Sequence, residues 1–374
     1  MTENKKHKET YKDRYIEKLK NSYNENVIGK SSIYYLLIIV MSLCSLVVTW
    51  ILLNNTMKIA SLENFFELYG FRQWLMVFVV FVVVILLKSL MSYLKIYVKS
   101  KRKNFYAVYS SVSISEYLSR LSLYGRVGDV SLWGKLVERK TKENLACDVV
   151  YSKKFYSKVA FVLVGLTCLI WSLFMMDVIN IWLYMLVLLI VLWQFAMILL
   201  VIITRKNKAL GISIVGKTTK FLFNIKIIKD YEKTFNNLSD KLLIYTNSIN
   251  NGKIISISET VANMIIWLFR VLIIYLSMNS LLLSDASVMG EILIKCFMLE
   301  AILSCLPLPG GIIAYELLFI TLFKNIVVNG YLFYVMVIYR VFELFMYLIN
   351  YLIVVLVDKI VYKNKTVSKI TTEE

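Results

Sequence analysis

Pro307-Leu308-Pro309-Gly310-Gly311, with Glu316 shortly after, is the stretch on which the fold turns. The chain has only two prolines, and both stand here, directly before the glycine pair. Apolar runs flank them, residues 292–306 before and 312–328 after. Proline removes a backbone donor and blocks a helix, while paired glycines permit left-handed or extended backbone. Backbone groups freed in this way find no partner in hydrocarbon. The break is therefore expected to be buried in protein or to line a wet cavity. Two readings stay open: a turn between two spanning helices, or a broken or re-entrant helix at a substrate site.

Outward from that stretch, the composition sets the class. The 374 residues are 59 % hydrophobic with a mean hydropathy of +0.66, which indicates a polytopic membrane protein. The expected fold class is all-α, a transmembrane helix bundle of about eight membrane segments with one or two broken or re-entrant elements. The five cysteines, at 44, 147, 168, 296 and 305, form no CxxC pair, which argues against a disulfide framework or a zinc site. His7, the only histidine, lies in a basic tail. Histidine-ligated metals and Ser-His or Cys-His nucleophiles have almost nothing to work with. We expect no catalytic residue, no metal, no cofactor and no enzymatic activity. The first apolar run, from Ile33 to Leu53, lacks a small-residue cleavage site and reads as an anchor.

The formal charge of +18 is distributed unevenly. Lys and Arg number 8 in residues 1–32, 13 in 99–158, 10 in 204–254 and 4 in 358–374, together 35 of 43. Topology can place all four segments on one side, leaving only Lys58, Arg72 and Lys324 in the opposite loops. This is the positive-inside pattern, and such segments also meet anionic headgroups of the inner leaflet. No nucleic-acid motif accompanies the charge, so no nucleic-acid partner is expected.

In order, the chain reads as a basic tail over 1–32, one transmembrane domain over 33–357, and a second basic tail over 358–374. Expected spans are 33–53, 75–97, 159–176, 181–203 and 257–283, then the broken element over 288–328, then 331–357. Lys95 is placed to snorkel to the inner interface, whereas Lys88 is too deep for that. Residues 104–150 are too polar for a spanning helix yet rich in aromatic and aliphatic side chains. Residues 204–254 are basic and amphipathic, with Phe221, Phe223, Ile225, Ile227 and Ile228 among lysines, and read as cytoplasmic helices. Both termini then fall in the cytoplasm of a multi-pass cell-membrane protein, provided the broken element returns to the side it enters from.

A weak internal repeat supports that layout. Residues 119–125 (SRLSLYG) and 304–310 (SCLPLPG) share S-x-L-x-L-x-G. The first copy is entered from inside and the second from outside. That is the arrangement of an inverted repeat whose interrupted elements meet near the bilayer middle.

The residues from Pro307 to Gly311, with Glu316 and then Arg340, resemble the P-x-P-G-G-x-G-x-x-E…R signature of the lysylphosphatidylglycerol synthase transmembrane-domain family. The run at 227–232 (IIKDYE) is similar to the central cytoplasmic stretch of that family. The likeness covers roughly residues 33–360 in layout and is specific over the final 55 or so. Ile313 stands where the family usually has a third glycine, and residues 125–129 (GRVGD) stand where relatives often carry a Gly-Gly-Gln-Pro segment. The resemblance implies a flippase-like protein without the soluble aminoacyltransferase domain of its bifunctional relatives.

Charges at membrane depth are costly and face a partner or a cavity. Arg340 and Glu343 share a helix face at i,i+3. They either pair with each other, or Arg340 receives a lipid phosphate through its planar fork, a role the family likeness favours. Glu316 complements a helix start or serves gating or cation binding. Arg270 is expected to pair with Glu300 or Glu343. Arg126 and Asp129 form a loop pair or mirror Gly311 and Glu316. With Pro309 and Gly310, these are the candidate substrate-binding residues. The expected function is movement of an anionic phospholipid or lipid-linked precursor between leaflets. A membrane enzyme acting on lipid phosphates and a partner of a cell-envelope synthase are the alternatives. A homo-oligomer is compatible with the sequence.

Overall fold

The computed structural model describes residues 16–17, 19–21, 23, 40, 43–44, 46–51, 54, 59, 61–68, 70–101, 104–120, 126–174, 181–227, 229–249, 253–278, 288–305, 314–328, 330–340 and 346–370. Long apolar runs without interior proline leave the backbone one way to satisfy itself in hydrocarbon, the α-helix. The described secondary structure is accordingly all-α. The first helices are α1 Leu62–Leu68, α2 Phe71–Ser100, α3 Phe105–Arg120 and α4 Arg126–Glu138. There follow α5 Glu143–Ser172, α6 Ile181–Lys206, α7 Lys208–Asn224, α8 Tyr231–Ser248 and α9 Lys253–Met278. The chain closes with α10 Val288–Cys305, α11 Ala314–Phe323, α12 Leu332–Arg340 and α13 Met346–Ile370.

Four of these helices are long and apolar enough to cross a membrane: α2, α5, α6 and the stretch Ile254–Met278 of α9. Their outward residues, such as Leu189, Trp193 and Leu86, are exposed and apolar, as lipid contact requires. The expected first span, 33–53, lies largely outside the described residues. Of the expected last span, α12 and the first part of α13 are described, and residues 341–345 between them lie outside the described residues. Helix continues to Ile370, into the stretch read as a tail.

Residues 104–150, unassigned by hydropathy, hold α3, α4 and the start of α5. Helix α3 is buried along nearly its whole length although it carries five serines. Small side chains let neighbours approach: a Cβ on Gly128 of α4 would fall 2.5 Å from Ser119 Cβ and 2.6 Å from the Ser115 carbonyl oxygen. The Ser115 hydroxyl donates to the Gly128 carbonyl at 2.7 Å. Helix α3 runs antiparallel to α13. The Tyr106 hydroxyl donates to Asp358 at 3.0 Å, Tyr117 stacks on Tyr351 with ring centroids 4.7 Å apart, and Arg120 lies over the Tyr347 ring at 5.0 Å. Tyr347 is about 16 Å along α13 from Asp358 at 1.5 Å per residue. The C-terminal end of α3 therefore stands well inside the bundle.

Two hydrophobic clusters hold the molecule. The larger threads the apolar helices. The smaller packs α4 and the start of α5 around Leu132, Trp133 and Val149, and includes Ile16, Leu19 and Tyr23 of the N-terminal segment. Spacings of three and four put those three residues on one helix face, so this part of the basic segment is packed. The Tyr23 hydroxyl donates to Glu138 at 2.5 Å. Burial and the adjacent Glu138 carboxylate raise the Tyr23 phenol above its ordinary range.

Candidate functional site

Arg340 is the last residue of α12 and Glu316 lies in the first turn of α11. The structure brings them together: the Arg340 Nε donates to Glu316 Oε1 at 3.0 Å, and a terminal nitrogen reaches the same oxygen at 2.9 Å. Both residues are 1 % exposed. The guanidinium also lies over the Tyr315 ring at 4.1 Å, a cation–π contact. Glu316 thus has a cation partner as well as its place at a helix start. Its second oxygen and the Tyr315 hydroxyl have no hydrogen-bond partner among the described residues. Glu343, the other carboxylate offered to Arg340, lies outside the described residues, as do Pro307, Pro309, Gly310 and Gly311.

From this pair a run of contacts leads into a recess. Tyr315 stacks on Tyr339 with centroids 5.2 Å apart and planes 5° apart. The Tyr339 hydroxyl donates to Glu300 Oε1 at 2.9 Å, and Arg270 reaches Glu300 Oε2 at 3.3 Å. Arg270 therefore pairs with one of the two carboxylates the sequence offered it. Its Nε is buried without a hydrogen-bond partner among the described residues. Arg270 and Arg120, with Phe81, Val84, Tyr339 and Tyr347, line a small recess of about 30 Å³. Arg340 does not line it.

A second ionic cluster adjoins the first. Lys88 donates to Glu116 Oε2 at 2.5 Å, and Lys153 reaches Oε1 of the same carboxylate at 2.7 Å. This accounts for Lys88, which was too deep to snorkel. Lys95, expected at the interface, is instead 1 % exposed, paired with Glu259 at 2.5 Å and hydrogen-bonded to Ser152. Its stem is long enough to reach water, but Glu259 of α9 faces it across the packed helices and captures the ammonium inside. Asp129 pairs with Lys154, and Arg126 is the first residue of α4.

Sequence reasoning singled out Arg126 in the first half of the chain, whereas Arg120 is the arginine on the recess. The signal was present, since Arg120 is the second residue of the S-x-L-x-L-x-G copy and follows Glu116 by four residues. Glu116, Lys153, Tyr339 and Tyr347 carried no motif and were missed. Among the described residues no three metal-ligating side chains cluster. Arg120, Arg270, Lys88 and Lys153 gather around Glu116 and Glu300, with Asp129 also near Lys153. Such a site can hold an anion by charge and by forked hydrogen bonds. Comparison with family models, curated proteins and solved structures returned no match.

Proposed function

We propose that the protein is an integral membrane transporter that moves an anionic phospholipid or lipid-linked phosphate between leaflets. The observation that carries this reading is the recess with Arg120 and Arg270 on its wall, inside a bundle with four helices apolar enough to span. Charged side chains at membrane depth are costly, and those that line a recess point to a ligand or ion path. In this reading the two guanidinium forks take the phosphate oxygens, Glu300 orients Arg270 and Tyr339, and the acyl chains stay in lipid. The likeness to the lysylphosphatidylglycerol synthase transmembrane family is part of this proposal and points the same way.

The test is leaflet-resolved transfer of a fluorescent anionic phospholipid in vesicles holding the purified protein. Transfer above protein-free vesicles, lost in Arg120→Ala and Arg270→Ala while both variants stay folded, supports the reading. Chemical conversion of the lipid instead of transfer, seen by mass spectrometry, replaces it with an enzyme.

A further inference from the structure

The α7–α8 hairpin ends in a tip that the interior of the protein does not use. The chain turns sharply at Asn207, the cap of α7, with φ −138° and ψ 101°. A Cβ on Gly211 would fall 2.0 Å from Thr204 Oγ1. In one straight helix those residues would stand roughly 10 Å apart along the axis. Helix α7 thus bends back over the end of α6 and does not continue away from it. Helix α8 returns to pack on α5 and α6, with the Ser248 hydroxyl donating to Asp148 at 3.3 Å. The hairpin is rooted at the end of an apolar span, and α7 reaches about 25 Å from that root.

The tip is a built structure. The Ile227 N–H donates to the Leu222 carbonyl at 3.0 Å and the Lys226 N–H to the Phe223 carbonyl at 2.9 Å, the two bonds of a Schellman cap. Lys226 takes the left-handed position, at φ 60°, where glycine is the usual residue. Tyr231 stacks on Phe235 at 5.9 Å and meets the edge of Phe223 at 6.2 Å, closing the hairpin. A Schellman cap commonly folds the residue after the left-handed position back onto the last helical turn. Here Ile227 points away and is 67 % exposed, with Phe221 at 63 % and Ile225 at 48 %.

Charge decides what covers these side chains. Between residues 217 and 233 stand five lysines, at 217, 220, 226, 229 and 233, against Asp230 and Glu232, a net +3. Apolar side chains that enter a headgroup boundary, interleaved with lysines, are the chemistry of segments that lie on anionic membranes. The sharp turn at Asn207 and the length of α7 keep the tip within reach of the bilayer that holds α6. We propose that the α7–α8 tip docks on the anionic lipid surface of that bilayer. Phe221 and Ile227 enter the boundary between headgroups and acyl chains, while Lys220, Lys226 and Lys229 contact lipid phosphates. The proposal does not depend on what the recess carries.

The test uses the full chain with the exposed Cys44 and Cys305 changed to Ser and an environment-sensitive fluorophore on Ile227→Cys. The protein is placed in vesicles of phosphatidylcholine alone or of phosphatidylcholine with phosphatidylglycerol, and the same chain without the new cysteine is the blank. With phosphatidylglycerol the emission shifts to the blue, and lipids carrying a shallow doxyl quencher reduce it about twofold or more. High salt and the combined change Lys220→Glu, Lys226→Glu, Lys229→Glu return the signal to its value in phosphatidylcholine alone. Lys226→Gly, which removes one charge and suits the left-handed backbone, gives a partial loss with the fold intact. An unquenched label in both vesicles places the tip in water or against a protein and overturns the proposal. Equal quenching in both vesicles, unmoved by salt or by the charge changes, overturns it too, since lipid contact would then not depend on anionic charge.

Discussion

The lysine cluster and the arginine cluster are both buried and adjacent, yet they are built to opposite ends. In the lysine cluster every cation has a carboxylate from another helix. Lys88 and Lys153 share Glu116, and Lys95 holds Glu259 two turns further along α2, so α2, α3, α5 and α9 are cross-linked. In the arginine cluster one arginine is sealed, Arg340 against Glu316, and two line open space. A compact ammonium fits a closed pocket. A guanidinium can meet a carboxylate, stack on a tyrosine and still present donors to an incoming anion. The contrast teaches that depth in the membrane does not by itself mark a binding charge. What sets the arginines apart is that two of them line a recess, whereas the lysines of the other cluster do not.

The contrast is broken most severely at Arg340. Removing one partner of a buried pair leaves an uncompensated charge and costs about 3–5 kcal/mol. Glu316→Ala should therefore lower thermal stability in detergent strongly, and so should Arg340→Ala. The combined change to Leu and Met should recover most of the loss, because neither charge is left alone. If the combined protein is as unstable as the single variants, the pair is not what holds α11 to α12.

Arg270→Ala comes next, and its effect should be read in transport more than in stability. A hydrogen bond to a charged group contributes about 1.5–3 kcal/mol, so lipid transfer should fall by roughly 10- to 150-fold. Lys95→Met with Glu259→Leu, made in the sealed cluster, should leave transfer near the unmodified rate. Equal loss in both would erase the distinction between the clusters.

The smallest change sharpens the boundary between them. Tyr339→Phe removes only the hydrogen bond to Glu300, about 0.5–1.5 kcal/mol. Transfer should fall by up to about tenfold with little change in melting temperature. An unaltered transfer rate would show that Tyr339 positions nothing on the recess.

Some of this was legible in the residues alone. Hydropathy marked α2 and α6 almost to their ends and placed α9 with its Arg270 and Glu259 inside, but it began the α5 span at residue 159, sixteen residues after the helix starts at Glu143. These follow from composition, since an apolar run in hydrocarbon has no alternative to a helix. Helix α3 was not legible in this way. Its serines lower its hydropathy to that of a surface segment, and only contact with α2, α4 and α13 shows that it is interior. Lys95 is the same lesson at one side chain: its distance from the span end allowed water, and Glu259, far away in sequence, took it inward.

The sequence by itself determined that this is an all-helical, membrane-like bundle, that most of its lysines and arginines gather in four segments, and that Glu316, Arg340 and Arg270 lie within apolar surroundings. Those are properties of single segments, set by burial cost and periodicity. Only the tertiary structure decided the partners: Glu316 for Arg340, Glu300 for Arg270, Glu116 for two lysines, and Arg120 beside Arg270 on a common recess. Several carboxylates lay within plausible reach of each cation along the chain. Which one it meets depends on how the helices pack, because an ion pair needs contact within a few ångströms and sequence spacing fixes that distance only within one helix.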